Sequence, residues 1–242
     1  MSQFEDLVRG IKKVMFVPVH PAGWPIIAIF ALICLFLFII DDVLGMVGLI
    51  LLGWCVFFFR DPARHTPLKE GLIISPADGV VCGIEKGVSL PKELDEADDD
   101  ENYTRISVFL NVFNVHVNRV PIGGTIKQIV YTPGKFLNAS LDKASEDNER
   151  SAALVETNDG KTVGFVQIAG LVARRIICDL KPGQNVETGE KYGIIRFGSR
   201  ADIYIPKGSN PLVAIGQTMV GGETILADLK SREKRREAIK RV

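Results

Sequence analysis

Two uninterrupted apolar runs, residues 24–40 and 43–59, stand near the start of the chain, parted only by Asp41-Asp42. Each is close to the lower end of the roughly 17–25 residues that span a bilayer as a helix. The acidic pair is too polar for hydrocarbon and marks a tight turn, so the pattern predicts an apolar α-helical hairpin. Arg9, Lys12 and Lys13 precede it, and Arg60, Arg64 and Lys69 follow it. Basic outer flanks with acid at the turn favour cytoplasmic termini. A cleaved signal peptide fits poorly, because no small-residue cleavage site follows the first run and a second run comes at once. A full crossing, a shallow dip into one leaflet and a buried core hairpin are all compatible with the lengths; the first two make the segment an anchor.

From Gly71 the rhythm changes to short β-branched and aromatic runs between turn signals, as in a mainly β domain. Predicted strands cover 79–84, 105–111, 116–120, 125–131, 152–156, 162–168, 174–178, 192–197, 202–205 and 224–229. Gly123-Gly124, Asn158-Asp159-Gly160 and Pro182-Gly183 punctuate them. Residues 89–102 are acidic and read as a solvated loop. Residues 132–151 are polar, strand-poor and long enough for a functional loop. The expected organisation is a hairpin with flanks over 1–62, a β-rich domain with barrel-like or sandwich-like elements over 63–229, and a basic tail over 230–242. The tail reads as a frayed solvated helix, or as a segment attracted to anionic head groups.

Composition narrows the chemistry. With 29 basic and 29 acidic residues the formal charge is zero, without the basic excess expected of a nucleic-acid partner. The cysteines at 34, 55, 82 and 178 have no zinc-like spacing, and no metal cluster, Walker loop or dinucleotide fingerprint is present. Of three histidines, His20 and His65 flank the apolar pair and only His116 lies within the β region. A lone strand histidine is commonly structural, yet histidine is also the commonest acid–base residue. Asp78, in Ser75-Pro-Ala-Asp-Gly79, sits in an ordinary turn sequence.

Gly198-Ser199, within Gly193-Ile-Ile-Arg-Phe-Gly-Ser-Arg200, interrupts two predicted strands. By itself it is a turn. It is also the minimal site for backbone self-cleavage. Glycine admits a contorted backbone, and the serine hydroxyl can attack the preceding carbonyl, exchanging amide for ester. β-Elimination then leaves dehydroalanine, which hydrolyses to a pyruvoyl group. Such an attack needs a base and an oriented carbonyl.

Several segments, in order, resemble the phosphatidylserine decarboxylases, most closely the short form of that family. They are Ser75-Pro-Ala-Asp-Gly79, Phe109-Leu-Asn-Val-Phe-Asn-Val-His116-Val-Asn-Arg-Val-Pro121 and Phe197-Gly-Ser199. Phe58-Phe-Arg-Asp-Pro62, Asn148-Glu-Arg150, Gln167-Ile-Ala-Gly170 and Ala173-Arg-Arg175 support them. The resemblance spans about residues 55 to 229. It implies a proenzyme cut between Gly198 and Ser199 into a β chain, 1–198, and an α chain, 199–242, that stay associated non-covalently. Ser199 would become the covalent pyruvoyl group (the pyruvate cofactor), forming a Schiff base with phosphatidylserine and releasing carbon dioxide and phosphatidylethanolamine. The implied location is the inner cell membrane, with the catalytic domain on the cytoplasmic side. His116 and Asp78 would be catalytic. Long-form members carry a second histidine where this chain has Arg119, so His116 serves both steps or cleavage uses another base; Arg119 is a candidate to bind substrate carboxylate or phosphate. A homo-oligomer is left open.

Two alternatives remain at the level of sequence. Lys181-Pro-Gly-Gln-Asn-Val-Glu-Thr-Gly-Glu190 has the turn-rich rhythm of biotinyl or lipoyl carriers, with Lys143 as the modified lysine. That reading leaves Gly198-Ser199, Asp78 and His116 without a role. The other is a self-cleaving decarboxylase acting on a different amino acid derivative.

Overall fold

The structure is a computed structural model and describes residues 17–94, 103–134, 148–170, 175–196 and 198–231, with 233, 234, 236, 238 and 239 of the tail. Two compact units emerge, Met1–Ala63 and Arg64–Val242.

In the first unit, helix α1 (Trp24–Ile40) is followed by α2 (Asp42–Phe58). Asp41 between them is extended, and its carboxylate accepts from the amides of Val43 and Leu44 at 2.8 and 3.2 Å. The acidic turn is therefore an N-cap that satisfies two orphan donors of α2. The helices approach closely at Gly45 and Gly48: a Cβ on Gly48 would lie 3.1 Å from Cys34 Cα. Leu32, Ile39, Val43 and Ile50 are among the large apolar side chains left exposed, a surface suited to lipid rather than water. Pro21–Ile40 is long and apolar enough to cross a membrane. The 17 residues of α2 rise only about 25 Å, short of a hydrocarbon core of about 30 Å.

The second unit is mainly β. Its largest sheet is a curled half-barrel, antiparallel throughout, in the order β12-β2-β3-β11-β7-β6-β5-β9. These are β2 (Gly79–Val88), β3 (Tyr103–Leu110), β5 (Gly124–Thr132), β6 (Arg150–Glu156), β7 (Thr162–Ala169), β9 (Asn185–Val186), β11 (Ser199–Pro206) and β12 (Thr218–Met219). A second sheet joins β4 (Val117–Arg119), β10 (Lys191–Ile195) and β8 (Ile176–Cys178), and a third pairs β1 (Leu72–Ile74) with β13 (Ile225–Asp228). Opposed residues of antiparallel strands share a face. One face of the large sheet buries Ile106, Val108, Val155, Phe165, Ile203 and Ile205 together with Ile73, Tyr192 and Leu226 from the smaller sheets. The other buries Leu154, Val166, Ile168 and Tyr204 under Leu90 and Leu94.

That second cluster corrects the solvated-loop reading of 89–102 over its first part. Leu90 and Leu94 are buried, and Glu93 is ion-paired to Arg150; residues 95–102 lie outside the described residues. Arg150 and Ser151, read as loop, begin β6, and Asn148 and Glu149 just before them are buried, while 135–147 lie outside the described residues. The described tail residues are not helical; Asn210 Nδ2 donates to the Glu233 carbonyl at 3.0 Å and Glu233 pairs with Arg236. Strands β1, β9 and β12, two or three residues each, carry too little periodicity to be seen in sequence.

Candidate active site

Ser199 is the first residue of β11 rather than part of a turn, with β3 on one side and β7 on the other. Gly198 before it has φ +70°, and a Cβ there would meet nothing within 4 Å. Backbone conformation alone therefore selects glycine, since an L-residue would cost about 1–2 kcal/mol in the left-handed region. Phe197 lies outside the described residues. Ser199 is fully buried, and its Oγ has no hydrogen-bond partner among the described residues. An unsatisfied buried hydroxyl costs on the order of 1–3 kcal/mol, a cost that ordinary structural serines avoid.

The cross-strand neighbours of Ser199 are Leu110 and Ala169, and each leads to another residue singled out by sequence. Leu110 packs with Ala77 and with Ala201, which shares Ser199's face; Ala77 precedes Asp78. Ala169 packs with Ile195, whose amide donates to the His116 carbonyl at 3.3 Å. The loop before β2 is locked in place: Ser75 Oγ donates to the Ala77 carbonyl at 2.7 Å, and the Arg119 amide donates to the Pro76 carbonyl at 2.9 Å. Three segments far apart in sequence thus converge on Ser199.

His116 is fully buried, with Nδ1 3.0 Å from the Asn114 carbonyl. A carbonyl only accepts, so Nδ1 donates in this contact and Nε2 is the ring nitrogen left for acid–base chemistry. Asp78 is held elsewhere. Arg64 Nη2 lies 2.8 Å from both its oxygens, and the Gly221 amide donates to Oδ1 at 2.8 Å. Its hydrogen bonds therefore run to Arg64 and Gly221, not to the His116 ring. Arg119 is buried and donates from Nη1 to the Gly189 carbonyl at 3.0 Å. A Cβ on Gly222, which has φ +81°, would come 2.6 Å from Arg119 Cδ and 3.4 Å from Arg64 Cβ. The two arginines thus flank one turn beside Asp78. After Ile195 in the chain, burial and then the charge of Arg175 pull the Arg196 guanidinium below the usual arginine range.

Sequence reasoning counted Arg64 only as a flanking charge; its side-chain partner is visible only once the chain has folded. Asn118 and Gln167 stood inside quoted segments without a role. In the structure Gln167 Nε2 donates to Asn118 Oδ1 at 2.9 Å, joining β7 to β4 through the core. Among the described residues no group of three or more histidine, cysteine or acidic side chains could hold a metal ion. Lys143, needed by the carrier alternative, lies outside the described residues.

The family model for phosphatidylserine decarboxylase matches residues 51–227. A phosphatidylserine decarboxylase proenzyme of Cereibacter sphaeroides is 57% identical over 224 residues, 93% of this chain and 95% of its own. Proteins of the same description from Ruegeria pomeroyi and Rickettsia felis are 57% identical over 213 residues (88% of this chain, 96% of the relative) and 50% identical over 228 residues (94% of each). With the ordered segments gathered around one buried serine and a match over most of its length, this chain belongs to the phosphatidylserine decarboxylase family, a family of enzymes made as proenzymes.

Proposed function

We propose that this protein cuts itself between Gly198 and Ser199 and decarboxylates phosphatidylserine to phosphatidylethanolamine. The observation that carries the reading is Ser199 itself: buried, without a hydrogen-bond partner for Oγ among the described residues, and placed directly after a left-handed glycine. In the cut, Ser199 Oγ bonds to the Gly198 carbonyl carbon while the C–N bond breaks, and the hydroxyl proton passes to the departing nitrogen. The resulting ester loses the Ser199 α-proton and its Cβ–O bond, releasing the Gly198 carboxylate. The dehydroalanine takes up water and gives off ammonia. His116 Nε2 is the candidate base, and Asp78, with Arg64, orders the loop beside it. Arg119 is a candidate for binding the substrate's phosphate or carboxylate.

The surroundings of Ser199 suit a pyruvoyl group. Leu110, Ala169 and Ala201 line its face of the sheet, so replacing the hydroxyl and amide nitrogen by a methyl ketone removes an unsatisfied donor from an apolar wall. The group supplies a carbonyl for Schiff-base chemistry with the head-group amine and an electron sink for loss of carbon dioxide. The domain bounds that go with this reading are an anchor over 1–62, the decarboxylase over 63–229 and a tail over 230–242. The apolar hairpin supports a membrane location with the catalytic domain on the cytoplasmic side, where a diacyl substrate is reached from the bilayer surface.

Intact mass under denaturing conditions tests the cut. Two chains are expected, meeting at Gly198, the smaller lighter by one ammonia than a 199–242 peptide beginning with serine. Ser199→Ala is expected to stay whole and inactive. Lipid turnover by that variant, or a whole wild-type chain carrying a mass gain at Lys143, would defeat the reading.

A further inference from the structure

The amides of Asn118 and Gln167 are 0% and 1% exposed. They bond to each other, yet Asn118 Nδ2 and Gln167 Oε1 have no hydrogen-bond partner among the described residues. The Ile177 carbonyl, 3.4 Å from Gln167 Nε2, fixes the orientation, because the reverse would set two acceptors together. The pair therefore holds one unused donor group and one unused acceptor in the core. A pair kept only for packing would be replaceable by apolar side chains at little cost, whereas leaving both groups unsatisfied is expensive.

Their place gives the reason. Gln167 opposes Ala201, two pairs along from the Ser199–Ala169 pair and so on the same face; such diagonal neighbours of Ser199 lie roughly 7–8 Å apart, within reach of a long side chain. Asn118 lies two residues after His116 and opposes Gly193, which has no side chain to compete. A serine head group offers what the pair lacks: a carboxylate to accept and an amine to donate. We propose that Asn118 and Gln167 recognise the phosphatidylserine head group, Asn118 Nδ2 donating to the carboxylate and Gln167 Oε1 accepting from the amine. This rests on the reading of Ser199 as the reactive position. Ser199, His116, Asn118 and Gln167 are all sealed from solvent in the uncut chain, so head-group entry follows the cut.

The product keeps the amine and has lost the carboxylate, and this asymmetry provides the test. Intact mass, thermal midpoint, KM for phosphatidylserine and inhibition by phosphatidylethanolamine are measured in detergent mixed micelles. Asn118→Leu is expected to be cut like the wild type and to raise KM at least tenfold, with inhibition by phosphatidylethanolamine unchanged within twofold. Gln167→Leu raises both constants. The double leucine variant, with neither amide left orphaned, melts no lower than either single one. Should Asn118→Leu fail to fold, Asn118→Asp preserves the shape, replaces the donor by an acceptor and carries the same expectation. An unchanged KM, an equal loss toward both lipids, or an uncut Asn118 variant overturns the proposal. A wild-type chain that is itself uncut and inactive overturns the assignment of Ser199 instead.

Discussion

The Asp78 carboxylate is partly screened from water, with 16% of its side chain exposed and Arg64 exposed by 13%. Two short contacts to one guanidinium nitrogen and a backbone amide hold it still. Hydrogen bonds to charged groups contribute about 1.5–3 kcal/mol, so under the proposed self-cleavage Arg64 is a positioning residue whose loss is felt through Asp78. Arg64→Ala is expected to slow self-cleavage about tenfold, the equivalent of ~1.4 kcal/mol, in a time course of chain separation on denaturing gels. Arg64→Lys keeps a charged nitrogen but on a flexible stem that holds the carboxylate less firmly, and is expected to fall between. Cleavage of Arg64→Ala at the wild-type rate would detach Asp78 from the reaction. Arg64 occupies an unremarkable place in the sequence, just after an apolar segment, where a basic residue already has an explanation.

Strand β11 carries two kinds of residue on its two faces. Ser199, Ala201, Ile203 and Ile205 face the main core, and Arg200, Asp202 and Tyr204 face the other way. Arg200 and Asp202 are ion-paired at 2.7 Å with side chains 2% and 0% exposed. Burial, followed by the neighbouring Asp202, pushes the Tyr204 hydroxyl above the usual tyrosine range, against the pull of Arg105. Removing one member of a buried pair leaves an uncompensated charge and typically costs about 3–5 kcal/mol. Asp202→Asn, made in the Ser199→Ala background so that one chain unfolds, is expected to lose about that much in urea denaturation. A loss below ~1 kcal/mol would mean that Arg200 finds another counter-charge. The sequence shows the alternation only from residue 202 onward. Gly198 and the polar Ser199-Arg200 pair look like a break, because nothing in the local pattern reveals that both faces of this strand are covered.

At the scale of the whole molecule, the proposed cut falls at the entry to a central strand. The proposed α chain contributes β11, paired to β3 and β7, together with β12 on β2 and β13 on β1. Separating it would expose strand edges and the core residues Ile203, Ile205 and Leu226. The two chains are therefore expected to co-elute on native gel filtration and to part only in denaturant; loss of the small chain under native conditions would contradict this account. What the sequence determined by itself is what depends on neighbours along the chain. The apolar helical hairpin with its acidic turn, ten of the strands to within a few residues, and the ordered segments around Asp78, His116 and Ser199 all carry local signals: period, run length, turn residues and motif. The tertiary structure decided what depends on partners distant in sequence. It gave Asp78 to Arg64, joined Gln167 to Asn118 across two sheets, buried Leu90 and Leu94 of an acidic loop, and made Ser199 the start of a central strand. Burial and hydrogen-bond pairing are properties of the assembled sheets, and a residue's neighbours in sequence do not specify which groups those sheets bring together.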